Sequence, residues 1–220
     1  MTNSLSFKYL KRWSWLGAIA VTACGHKPPP ATAPQVTSPL PTAGISGQQV
    51  IVVPFTLIAA EDSLRWEAAL GNRRVVLGRA DSIVETLLTA RSPEVSWVGP
   101  EELRRAARRA PGIATDPDQL GTAILRAKTL MIVPDPLRSQ LRTLAALAGT
   151  GGSRWAFVPA ALIFRRKGMD VPPVGTAELT VVLADTRTGR VGWRTVATGE
   201  GTDPWSALTR AVKSLTPGLP

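Results

Sequence analysis

The chain has 220 residues, of which 44% are hydrophobic and 19% charged, with one cysteine, one histidine and a net charge of +10. That length allows one domain of ordinary size with tails, and the apolar content excludes wholesale disorder. A lone cysteine excludes an internal disulfide.

Residues 1–23 have the layout of a signal peptide, with Lys8, Lys11 and Arg12 ahead of a short apolar stretch from Trp13 to Val21. Nine apolar residues span only about 14 Å as a helix, roughly half the hydrocarbon thickness, so a permanent transmembrane helix is disfavoured. Val21-Thr22-Ala23-Cys24 resembles the lipobox of bacterial lipoproteins, an aliphatic residue and two small ones before the cysteine. The resemblance implies cleavage before Cys24, acylation of that cysteine, and a chain held by its lipid to a bacterial membrane, facing the periplasm. Ordinary secretion with cleavage nearby is the alternative. An exposed free thiol in an oxidising compartment would be a liability, which favours the lipid. Gly25 rather than Asp follows the cysteine; by the same resemblance, the outer membrane is favoured over the inner.

Residues 24–49 read as a disordered tether: six prolines (28, 29, 30, 34, 39 and 41) among Ala, Thr, Ser and Gly, with Lys27 the only charge. Residues 25–49 would reach about 75 Å if fully extended. The only histidine, His26, falls here as a solvated linker residue. Its position removes a Ser-His triad and a His-rich zinc site from the domain that follows.

The folded domain is expected over 50–216, with a tail at 217–220. Val50-Ile51-Val52-Val53-Pro54-Phe55 is a continuous apolar run, predicting a strand buried on both faces. Residues 56–78 are ambiguous, with a short strand at 74–77 and a helical turn at 63–70 carrying Trp66. Asp81 is expected to cap a helix over 81–90, with Ile83, Val84, Leu87 and Leu88 on one face. A strand is expected over 94–98. Pro100 opens the next helix, with Glu101 and Glu102 at its start and Arg104, Arg105, Arg108 and Arg109 towards its end, as the helix dipole favours. Asp116-Pro117, Asp135-Pro136 and Asp203-Pro204 repeat one device, a capping Asp before a proline that needs no donor. Their helices present Leu120, Ile124 and Ala127; Leu137, Leu141, Leu144 and Leu147 or Ala148; and Leu208, Ala211, Val212 and Leu215.

Strands are expected over 155–164, 176–184 and 190–199, the last two joined by the turn Asp185-Thr186-Arg187-Thr188-Gly189. Leu179, Val181 and Leu183 alternate on one face, and Val191, Trp193 and Thr195 on the partner strand. The fold class is therefore α/β (α+β): a mixed sheet with a carboxy-terminal antiparallel hairpin and helices packed against it.

The run 50–55, the helix at 81–90, the strand at 155–164 and the segment Leu183-Ala184-Asp185-Thr186-Arg187-Thr188-Gly189-Arg190-Val191-Gly192-Trp193 together resemble an envelope group. This group comprises the TolB amino-terminal domain, the curli-secretion lipoprotein CsgG and the penicillin-binding-protein activator LpoB. The resemblance spans most of residues 50–215. It implies a non-enzymatic periplasmic adaptor or assembly factor that binds a protein partner. A cell-wall glycan or lipid-binding module is the alternative reading. The chain departs from the group in the additional helices at 116–148, and it lacks the long alternating hairpins of a curli-type barrel.

No motif specific for catalysis, a cofactor or a metal is present. Gly149-Thr150-Gly151-Gly152-Ser153 lacks the lysine and spacing of a phosphate loop and follows a helix, so it reads as a helix stop. The adjacent acids Glu61-Asp62 and Glu101-Glu102 point about 100° apart on a helix and do not form a two-carboxylate site by themselves. Outside the leader, 23 basic residues face 16 acidic ones, and 19 of the 23 are arginine. Arg-rich codon usage accounts for this excess; so does a basic surface facing anionic lipid, an anionic cell-wall polymer or an acidic protein. Arg104, Arg105, Arg108 and Arg109 form the stripe that could supply an anionic-partner patch. Nucleic acid is not expected as a partner. Trp66, Trp97, Trp155, Trp193 and Trp205 are expected in the core.

Overall fold

The computed structural model describes residues 38–149, 151–169 and 171–216. The expected leader, the expected lipobox with Cys24, His26, residues 25–37 of the expected tether and the tail at 217–220 lie outside the described residues. Packing begins earlier than the composition suggested. Leu40 and Ile45 are buried, Ile45 closes a one-turn helix α1 (Thr42–Ile45), and Leu40 N–H donates to the Leu215 carbonyl. Two buried aliphatic side chains, together with hydrogen bonds from the Ser38, Leu40 and Gly47 N–H groups to the domain, help offset the cost of ordering residues 38–49, which proline content alone does not reveal.

A six-stranded mixed sheet organises the rest. β1 (Gln49–Val52) lies between β3 (Ser96–Val98) and β4 (Trp155–Lys167), parallel to both. β4, β5 (Val174–Asp185) and β6 (Val191–Gly201) form an antiparallel meander. β2 (Ile58–Ala60) is parallel to β4 and pairs farther along it, at Leu162–Phe164. Between the stretches of β4 that take β1 and β2 lies Pro159, at a bulge between Pro159 and Ala161. A proline has no N–H for a central ladder, and a bulge is where it is tolerated.

Both faces of β1 are covered, as its unbroken apolar run requires. Val50, Val52 and Phe55 join α3 (Arg73–Arg91) and α6 (Pro204–Leu215) in one core. Ile51 and Val53 join α4 (Pro100–Arg109) and α5 (Leu137–Leu147) in a second. Gly199 lets α6 approach β6 closely, since a Cβ there would lie 2.2 Å from Ala211 N and 2.4 Å from the Ala207 carbonyl oxygen. The Asp203 carboxylate caps α6 through Trp205 N–H and Ser206 N–H. The 185–189 turn is held by Asp185 Oδ1, which accepts from Arg187 N–H and Thr188 N–H, and Gly189 takes the left-handed φ of 76°.

Four local expectations fail for identifiable reasons. Residues 74–77 are not a strand: Asn72 caps α3 by accepting from Val75 N–H, and the apolar row Val76, Ala80, Val84 and Leu88 runs on at helical spacing. Asp81 is therefore not a cap but a buried side chain in mid-helix. No α-helix follows Asp116-Pro117. Two 3₁₀ turns, Pro117–Gln119 and Thr122–Arg126, bury Thr122 and Leu125 at a period of three, leaving Ile124 and Ala127 exposed. Finally, Leu183 pairs with Trp193 but Ala184 pairs with Val191, so Gly192 is an extra residue. Val191 thus packs against the α4/α5 core while Trp193 packs against the α3/α6 core.

Candidate functional site

The outer edge of β2 borders a groove with a volume of about 400 Å³. Leu57 accepts from Leu162 N–H and Glu61 N–H donates to Phe164, so these backbones face β4. By the strand period of two, the N–H and C=O groups of Ile58 and Ala60 face away from β4. Nothing among the described residues pairs with that edge. The groove beside it is floored by Trp66, Leu70, Val76 and Leu77 and rimmed by Glu61, Asp62 and Glu67, with Arg73 opposite in charge.

Local chemistry holds this floor. Arg65 adopts φ 54°, a left-handed conformation that turns the chain after the 3₁₀ segment Asp62–Leu64 and sends Trp66 inward. Trp66 is buried and meets Phe164 edge-on, at 5.4 Å between centroids. Gly175 makes the room: a Cβ there would lie 2.3 Å from the Trp66 ring. Glu61 fastens the end of β2 to β4 by accepting from Arg165 and from Arg166 N–H. Arg165 also bonds Glu178, and these carboxylates raise its already high pKa.

A second, larger cleft of about 960 Å³ lies on the other side of the first turns of α3, between Arg73, Arg74, Arg104, Arg108, Glu101, Asp116 and Asp118. Arg104 links this cleft to the buried Asp81, which accepts from Phe55 N–H at 2.8 Å and from Arg104 at 2.6 Å, while Arg104 also makes a forked contact with Asp118 at 2.7–3.0 Å. Pro54 cannot continue the ladder, and Asp81 takes the next free N–H. Burial raises the Asp81 pKa to about 6 despite these partners, and the two aspartates raise that of Arg104 further.

The four expected patch arginines are thus not brought together as a free stripe. Arg104 is turned inward and largely buried. Arg105 and Arg109 pair with Glu102, and Arg108 with Glu101. The sequence showed Glu101 and Glu102 but not that Asp81 and Asp118, remote along the chain, arrive at Arg104. Asp185 is likewise structural: burial alone would raise its pKa, but bonds from Thr188, Arg154 and Arg187 hold it below the ordinary value. The Gly149 stretch behaves as a helix stop, with left-handed backbone at Gly149, Gly151 and Gly152 after α5. Trp97, Trp155, Trp193 and Trp205 pack against the α3/α6 core, so none of the five domain tryptophans is a bare stacking platform.

Among the described residues, no three His, Cys, Asp or Glu side chains could hold a metal ion together. No helix among them is long and apolar enough to cross a membrane. The groove residues lay in the stretch that the sequence left ambiguous. Its legible signals were Trp66 and the short apolar run 57–60 ahead of Glu61-Asp62.

No protein-family model and no curated protein matches the sequence. Among solved structures, the chain is similar to a PelC dodecamer from Paraburkholderia phytofirmans at 13% identity, covering 82% of this chain and 94% of that one with a TM-score of 0.38. It is also similar to LpoB of E. coli, at 15% identity, 90% and 84% coverage and a TM-score of 0.36. A third likeness is to lipoprotein GNA1162 of Neisseria meningitidis, at 12% identity, 70% and 83% coverage and a TM-score of 0.36. Likenesses this remote assign no role to the chain.

Proposed function

We propose that this chain is a lipid-anchored envelope protein acting without catalysis, as an adaptor or assembly factor that binds a protein partner in the periplasm. The leader, the lipobox ending at Cys24 and the proline-rich segment support the anchoring, with the outer membrane favoured. The observation that supports partner binding is the unpaired edge of β2 beside an apolar groove. An extended segment laid there would pair with the outward groups of Ile58 and Ala60 and place side chains over Trp66 and Leu70. Main-chain bonds would supply affinity and the groove specificity. The acidic rim favours a segment carrying Lys or Arg.

A photo-crosslinking residue at exposed Ala59, in the full chain in cells, tests this reading. The expected result is an adduct with one envelope protein, lost in Ala60→Pro, which removes an outward N–H while leaving the bonds to β4 in place. The reading is contradicted if Ala59 gives no adduct beyond that from exposed Arg142 on α5, or if Ala60→Pro leaves the adduct intact in a folded chain.

A further inference from the structure

Residues 121–133 contain no acid; Thr122–Arg126 packs on β4, where the Thr122 hydroxyl donates to the Pro159 carbonyl, and residues 128–133 run along the open side of β6. Ile132 bridges to Arg190, Val191 N–H donates to the Met131 carbonyl, and the Arg194 guanidinium donates to the carbonyls of Lys128 and Leu130. The segment is therefore pinned in place. Pinning leaves three large apolar side chains in water: Ile124 at 50%, Met131 at 65% and Ile132 at 53% exposure. Beside them Arg126, Lys128 and Arg190 are exposed, and none has a carboxylate within ion-pair distance among the described residues. This contrasts with α4, where every arginine is matched by an acid. Interleaved apolar and uncompensated cationic side chains suit a surface that offers both hydrocarbon and negative charge.

Where the chain joins the domain bears on which surface lies near. Ser38 N–H donates to the Thr195 hydroxyl, which neighbours Arg194 on β6 but points to the opposite face of the sheet. The 14 residues from Cys24 to Ser38 reach about 43 Å at full extension. The strand that receives the tether is thus the strand that carries the cationic, apolar segment.

We propose that residues 124–132 and Arg190 form a membrane-contact surface, which lays the β6 edge of the domain on an anionic phospholipid bilayer. Ile124, Met131 and Ile132 reach the acyl boundary while Arg126, Lys128 and Arg190 engage phosphate headgroups. An anionic polymer would satisfy the cations but give the three apolar side chains nothing. The contact draws on the anchored reading only for proximity.

The test is a probe at the surface itself. The chain has no cysteine besides Cys24, so the full chain carrying Cys24→Ser and Ile132→Cys takes one environment-sensitive fluorophore at residue 132. The same label at Thr89→Cys, exposed on α3, is the control. On vesicles of phosphatidylglycerol and phosphatidylcholine the emission at 132 is expected to shift blue and to be quenched by brominated lipid, with no shift at 89. Phosphatidylcholine alone should give little change. Each cation near an anionic surface is worth roughly fivefold in binding, so Arg126→Gln, Lys128→Gln and Arg190→Gln together should weaken the response about a hundredfold. The proposal is overturned by an unchanged probe at 132, by equal shifts at 132 and 89, or by an equal shift with soluble polyphosphate. The probe chain carries serine at position 24 and so no lipid there, so failure here and failure of the anchoring are separately visible.

Discussion

Replacing Arg104 by Met tests the reading of Asp81 as a buried structural charge. Met keeps much of the apolar stem and removes the guanidinium, leaving Asp81 with Phe55 N–H as its remaining partner. The Asp81 side chain is 5% exposed and that of Arg104 18%. Removing one partner of a buried pair costs about 3–5 kcal/mol, and the partial exposure of Arg104 places the loss near the lower end, about 3 kcal/mol at pH 8. The pH dependence follows from the carboxyl. Its folded pKa, about 6, already stands above the ordinary 3.8. Its stabilisation is complete below about pH 4 and declines as pH rises through 6. Without Arg104 the folded pKa climbs further, so the deficit grows with pH: small at pH 5, where Asp81 takes up its proton, and full at pH 8. Urea unfolding followed by tryptophan emission at the two pH values measures this. Adding Asp81→Asn to Arg104→Met should recover most of the loss at pH 8 and flatten the pH profile. A deficit under about 1 kcal/mol at pH 8, or one equal at both pH values, would refute the reasoning.

Three further outcomes follow from packing and capping. Gly199→Val drives a side chain into the α6 backbone at Ala207 and Ala211, and is expected to destabilise by several kcal/mol or abolish folding, read by thermal unfolding. Gly175→Ala forces the Trp66 ring to move; tryptophan emission should shift red, with a loss of about 1–3 kcal/mol, and the Ala59 adduct should weaken. Asp203→Ala removes the α6 cap and is expected to cost about 1 kcal/mol at neutral pH. The Ser206 side chain, with the backbone N–H groups of Ser206 and Trp205, holds the Asp203 carboxyl below its ordinary pKa, so that difference persists above about pH 4 and fades as pH falls further.

Legibility tracked how local the determining interaction was. The 50–55 run, the 185–189 turn with its Asp and Gly, and the Asp203-Pro204 cap each carry their cause within a few residues, and each was readable. The start of α3 was also written locally, in Asn72 and the Val76, Ala80, Val84, Leu88 row. The β-branched pair Val75-Val76 and the mid-helix Gly78 pointed the other way. Asp81 was misread because an Asp ahead of an apolar face looks like a cap whether it is exposed or buried. What decides is Phe55 N–H and Arg104, 26 and 23 residues away. The groove was hidden for the same reason, since an unpaired strand edge is a property of the sheet. On α4 the spacing of the arginines and the nearby Glu101 and Glu102 are visible in the sequence, but the remote Asp81 and Asp118 that draw Arg104 inward are not. The unmatched cations lay instead at Arg126, Lys128 and Arg190, where no periodicity marks them.

A protein tethered at position 24 and held over a membrane should show that tether chemically. Intact-mass analysis of the chain extracted from cell membranes in detergent measures it directly. The account predicts a chain beginning at Cys24, heavier than its amino-acid mass by a diacylglyceryl group and any amino-terminal acyl group. A chain that retains residues 1–23, or one with an unmodified thiol at Cys24, would contradict it.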